Sequence, residues 1–133
     1  PGVPGRGGSR PATGAGRVVL AVSLAGVLDL AEGAARGLGT GAVPAALGGT
    51  PGELPERYAA ADPIARLPLG VPQLVVQGRA DDPDLVDGAR RYVPAARAAG
   101  DDVTYLERPG DHFDLIDPAS PIWQEAASLL RGL

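Results

Sequence analysis

Three β-rich apolar runs separated by stretches of helical periodicity predict an α/β domain built on a parallel, doubly wound sheet. The runs are Arg17–Leu24 (RVVLAVSL), Val71–Gln77 (VPQLVVQ) and Val103–Glu107 (VTYLE). Read in order, the chain goes strand, helices, strand, helix, strand, helix, which is the pattern of three strands with flanking helices. A length of 133 residues suffices for one core, and 44% hydrophobic content supports burial. With one Phe and one Trp, that core must be made of Ala, Val and Leu.

The first segment, Pro1–Gly16, holds nine Gly and Pro residues and reads as a disordered or linker-like lead-in; the ordered domain spans 17–133. Arg17–Leu24 is continuously apolar, as a strand buried on both faces would be. Ser23 is a small residue packed in that strand, because a nucleophile would need a strand–turn–helix context. Gly26 ends the strand. Asp29 followed by Glu32 is a capping pair for a helix running to about Leu38. Gly37–Gly52 is a Gly-rich excursion with a helical patch at Val43–Leu47, and Leu54–Ala61 is another short helix. Asp62-Pro63 fits an N-cap with Pro at the first helical position, opening a single turn.

After the central strand, Asp84–Ala99 carries Leu85, Ala89, Tyr92, Val93 and Ala96 on one helical face. Pro94 should kink or split this helix, and Gly100 stops it. Asp101 and Asp102 read as a solvated turn before Val103. Ser120-Pro121 opens the last helix, with Ile122, Trp123, Ala126, Leu129 and Leu130 as its stripe.

Composition narrows the function classes. Net charge is −4 and all 12 basic residues are Arg, with no basic stripe, so nucleic acid is not an expected partner. The absence of Cys removes disulfides, thiolate metal sites and a Cys nucleophile. No apolar run approaches the roughly 18 residues of a membrane span, so no membrane association is expected and the cytoplasm is the default location. The chain contains no Met, so it is expected to be processed or, preferably, a piece of something longer.

Chemistry-bearing residues gather after the second and third strands. Asp81 and Asp82 follow the central strand, and His112, the one histidine, follows the next strand through a Pro-Gly turn. In open parallel sheets, that edge beyond the strands' carboxyl ends is where ligands bind. An acid and a histidine on adjacent strands are two members of a Ser-His-Asp triad. A lone histidine after a strand is ordinarily a surface loop residue, and Asp81, Asp82, Asp84 and Asp87 also suit a helix N-terminus. Asp82-x-Asp84 could alternatively hold Mg²⁺.

The run Gln77-Gly78-Arg79-Ala80-Asp81 resembles the His-Gly-x-x-Asp run of the α/β-hydrolases, in which the Asp is the triad acid. Gly110-Asp111-His112-Phe113 is similar to the family's histidine loop before the last helix. Asp62-Pro63 and Leu69–Gln73 resemble the esterase/lipase branch, and His112–Asp114 has an arylformamidase-like flavour. The likeness covers Arg17–Leu133 and implies the C-terminal part of a doubly wound α/β-hydrolase fold. Three departures stand out. Gln77 replaces the usual His, a residue outside the triad; Pro83–Leu85 replaces the usual Val-Pro; and neither Gly-x-Ser-x-Gly nor a His-Gly-Gly segment occurs.

The family's chain order is Ser, acid, His. The resemblance therefore implies Asp81 as the acid, His112 as the base, and a nucleophile in the remainder of a parent chain upstream. The implied activity is acyl transfer to water on a small carboxylic ester, or alternatively on a formamide or peptide-like amide, with no metal or organic cofactor. The fragment alone would then be inactive as an esterase. The competing class is a non-catalytic remnant that folds and binds without turnover. A substrate pocket would be formed by the loop after Ser23, the Gly37–Gly52 excursion and upstream segments.

Overall fold

Three parallel strands organise the computed structural model, which describes residues 16–132: β1 (Ala21–Leu24), β2 (Gln73–Gly78) and β3 (Val103–Arg108). They form one sheet in the order β1-β2-β3, with Ala21 opposite Gln73 and Gln73 opposite Val103. Five α-helices accompany them among the described residues: α1 (Leu30–Arg36), α2 (Ala42–Leu47), α3 (Pro55–Ala61), α4 (Pro83–Ala98) and α5 (Pro121–Arg131). The result is an α/β arrangement, a three-stranded parallel sheet with flanking helices. The lead-in expected over Pro1–Gly16 lies outside the described residues, apart from Gly16.

β2 is the axis of the core because it is central, and all six of its residues are buried. Successive strand residues face opposite sides. Leu74 and Val76 pack with Leu106, Leu115, Ile122 and Ala126, the α5 side. Val75 packs with Ala89, Tyr92, Val93 and Ala96, the α4 side. A third cluster, away from the strands, joins Leu38, Val43, Tyr58 and Leu85.

Two strand expectations are corrected. The first strand is shorter than Arg17–Leu24 and is not buried on both faces: Val18 and Val19 are 66% and 72% exposed, and Val22 and Leu24 are also exposed. Pairing starts where Ala21 N–H donates to Pro72 O, and before Gln73 the neighbouring chain turns away at Gly70. β2 likewise starts two residues late, since Pro72 has no N–H for the ladder.

The helix caps explain the rest. Asp29 accepts from Glu32 N at 3.2 Å as expected, but α1 stops at Gly37, whose left-handed φ of 72° suits glycine, and a 3₁₀ turn (Leu38–Thr40) follows. Asp62 does not cap the turn after it. Its carboxylate reaches back to Leu30 N and Ala31 N at 2.7 and 3.1 Å, adding a second anion to the α1 N-terminus. α4 runs through Pro94 as one helix; Pro94 is exposed, so solvent can satisfy the carbonyl it leaves unpaired. Ser120 caps α5 through Trp123 N at 3.2 Å.

Asp101 is not in a solvated turn. It is buried and accepts from Leu69 N, Gly70 N and Gln73 Nε2 at 2.7, 2.9 and 2.9 Å. Those donors, the Leu69 N–H foremost, hold its carboxyl below the usual range against the opposing effect of burial. The clamp ties the approach to β2 to the approach to β3. No helix among the described residues is long and apolar enough to cross a membrane.

Candidate active site

Two loops leave the carboxyl ends of neighbouring strands and are pressed together. Arg79 N donates to Arg108 O at 2.9 Å, and Ala80 N donates to Gly110 O at 2.9 Å, extending the β2–β3 ladder into the loops. Gly78 permits this approach, since a Cβ there would overlap the Gly110 carbonyl oxygen and lie 2.9 Å from its carbon. The histidine loop therefore lies across the end of β2.

Within that loop, Asp111 and Asp114 clasp each other's backbone. Asp111 Oδ1 accepts from Phe113 N and Asp114 N at 2.9 and 3.0 Å, and Asp114 Oδ2 accepts from Asp111 N at 2.8 Å. Leu115 plugs the following turn into the core. His112 is held between these fixed points, with its ring edge-on to exposed Phe113.

Asp81 and His112 meet here. His112 Nδ1 lies 2.9 Å from Asp81 Oδ2, with the aspartate side chain 3% exposed and the imidazole 51% exposed. The buried carboxylate is fully engaged: Oδ1 accepts from Asp82 N at 2.6 Å, and Oδ2 also accepts from Gln77 Nε2 at 3.2 Å. A carboxylate facing Nδ1 selects the tautomer with hydrogen on Nδ1, leaving the Nε2 lone pair free. Among the described residues no protein group bonds Nε2. The pair can thus accept a proton at Nε2 while Asp81 steadies the resulting imidazolium.

The other carboxylates are committed elsewhere. Asp82 caps α4 by accepting from Asp84 N at 2.9 Å. Asp84 and Asp87 pair with Arg36 at 3.2 and 2.8 Å, and Arg36 also holds Glu32. These pairs tie α1 to α4, and the Arg36 contact lowers the Asp87 pKa. Among the described residues there is no group of three side chains suited to a metal ion. Ser23 closes the turn after β1, its Oγ accepting from Gly26 N at 3.2 Å, and no described hydroxyl is bonded to His112.

Beside the pair lies an open cleft of about 510 Å³. Ala25 and Val27 from the loop after β1, Leu38, Val43 and Leu47 from the Gly-rich excursion, and Leu85 are among the residues that line it, together with Asp81, Asp82 and His112. Ala25, at a positive φ of 54°, turns the chain from β1 towards this wall. Gln77 is the site residue that sequence reasoning passed over. Lying outside the Asp/His pattern, it seemed interchangeable, yet it is 1% exposed and donates to the working oxygen of Asp81. Its position four residues before Asp81, at the end of a strand, was the available signal.

The fold and site define a parallel α/β protein with an Asp–His pair at the carboxyl edge of its sheet. No protein-family model, curated protein or solved structure matches the chain.

Proposed function

We propose that this chain supplies the acid and the base of a serine-hydrolase triad, in the C-terminal half of an α/β-hydrolase fold, acting on a small carboxylic ester. The observation that carries the reading is the 2.9 Å contact between His112 Nδ1 and buried Asp81, with the rest of the imidazole exposed beside an apolar cleft.

In this reading the nucleophile comes from a parent segment upstream. Its serine hydroxyl gives a proton to His112 Nε2 as its oxygen attacks the ester carbonyl carbon. The tetrahedral adduct collapses, the C–O bond to the alcohol breaks, and His112 returns the proton to the leaving oxygen. Water then attacks the acyl-enzyme, losing its proton to His112, which passes it to the serine oxygen as the acid leaves. The net change is ester plus water to acid plus alcohol. Asp81 stays charged throughout and holds the imidazole in register, as Gln77 and the Asp82 N–H hold it.

The test is ester turnover by the parent protein with His112→Ala. Loss of general acid–base help should lower turnover by at least about 10²–10⁴ with substrate binding nearly intact. Unchanged turnover would demote His112 to a surface loop residue.

A further inference from the structure

The cleft beside His112 is walled mainly by aliphatic carbon. Leu30, Leu38, Val43, Leu47 and Leu85 are among its lining residues, and apart from the His112 imidazole the described lining holds neither an aromatic ring nor an Arg. Its other ionisable groups are Asp81, which contacts His112, and Asp82. Asp82 is exposed and held in place by its role as the α4 cap, so a second carboxylate lines the cleft. The volume of about 510 Å³ lies within the roughly 300–1,000 Å³ of small-molecule sites.

We propose that this cleft binds the uncharged aliphatic group of a small ester and discriminates against carboxylate-bearing compounds of similar size. This rests on the acyl-transfer reading for its assumption that the bound group lies next to His112. Two physical effects point the same way. An aliphatic chain is desolvated against Leu and Val side chains without leaving a polar group unpaired. A carboxylate would face Asp81 and Asp82 with no Arg among the lining residues to pair with it. Specificity then resides in α2, where Ala42 and Ala46 line the cleft one helical turn apart and are otherwise exposed.

The chain's single histidine makes the test direct, because its ring protons belong to the one imidazole, which lies beside the cleft. The Val22→Lys chain, altered on the exposed face of β1 and outside the cleft lining, is titrated with methyl hexanoate and sodium hexanoate while the His112 ring resonances are followed by NMR. Methyl hexanoate should give a saturable shift, with hexanoate binding about ten-fold more weakly or worse. Ala46→Phe and, separately, Ala42→Phe should each weaken methyl hexanoate by about five-fold or more by filling the cleft. Both sites are exposed, so the two variants need not disturb the core. No saturable shift, equal binding of the ion, or indifference to both substitutions would overturn the proposal. Because binding to this chain needs no nucleophile, the two readings fail separately. Selective binding without turnover in the parent protein sinks only the hydrolase reading. Turnover with an anionic preference sinks only this one.

Discussion

Replacing Asp81 by Asn should disable the imidazole while leaving the loop in place. The two aspartate oxygens accept from three directions: Asp82 N at 2.6 Å on Oδ1, and Gln77 Nε2 and His112 Nδ1 on Oδ2. An Asn has one acceptor oxygen. Keeping it on the short Asp82 contact turns the amide NH₂ towards His112 and Gln77. That NH₂ donates to Nδ1, so the ring must carry its hydrogen on Nε2, where a serine proton would need to arrive. In the type system for such triads, this tautomer error costs about 10⁴ in turnover. By contrast, Asp82→Asn acts at the α4 start and Asp84→Asn there and on one exposed contact to Arg36, effects worth about 0.3–1 kcal/mol, a few-fold at most. The assay is ester turnover of the parent protein carrying each Asn variant, with ¹⁵N NMR of His112 reporting the tautomer. If Asp82→Asn or Asp84→Asn is the crippled variant, or Asp81→Asn stays within about ten-fold of the starting rate, the assignment of the acid is wrong.

Three further outcomes follow from the packing. Gly78→Ala should destabilise the chain by about 1–3 kcal/mol and perturb the His112 resonance, because its Cβ overlaps the Gly110 carbonyl; an unchanged melt would contradict the close approach. Glu107 is held at about 2, chiefly by its hydrogen bond from Arg90, with Tyr105 aiding and burial opposing. Its stabilisation is complete above the ordinary carboxylate pKa and is lost as pH falls towards about 2. With the solvent-exposed Arg90 screened, this is worth roughly 1–2 kcal/mol; acid melts of Glu107→Gln should show a correspondingly flatter pH dependence. Among the described residues β1 pairs on one side only and exposes Val22 and Leu24, so the chain should self-associate at micromolar concentration. Val22→Lys should suppress that in sedimentation velocity, and a monomeric, cooperatively melting unsubstituted chain would refute it.

The elements with strong local signals are legible in the sequence. Ser120-Pro121 and the Ile122/Ala126 stripe mark α5, and the Leu85-to-Ala96 stripe marks α4. The adjacency of Asp81 and His112 was legible too, since consecutive parallel strands deliver their loops to one edge. Long-range polar pairings were not. Asp62 reads as a cap for its own turn, and only the tertiary fold brings the α1 N-terminus 31 to 32 residues away within reach. Asp101 next to Asp102 looks like a solvated pair until Leu69, Gly70 and Gln73 converge on one of them. β1 was overextended because apolar composition reports burial potential, whereas strand length depends on where the partner's N–H groups begin. Pro72 limits them.

In the proposed function, Asp81 and His112 activate a serine contributed by a parent segment upstream of this chain, and a fluorophosphonate probe tests that. The 133-residue chain should stay unlabelled, while the parent protein is labelled on one upstream serine at a rate that collapses in His112→Ala. Stoichiometric labelling of any serine of this chain (Ser9, Ser23, Ser120 or Ser128), or parent labelling indifferent to His112→Ala, would contradict it.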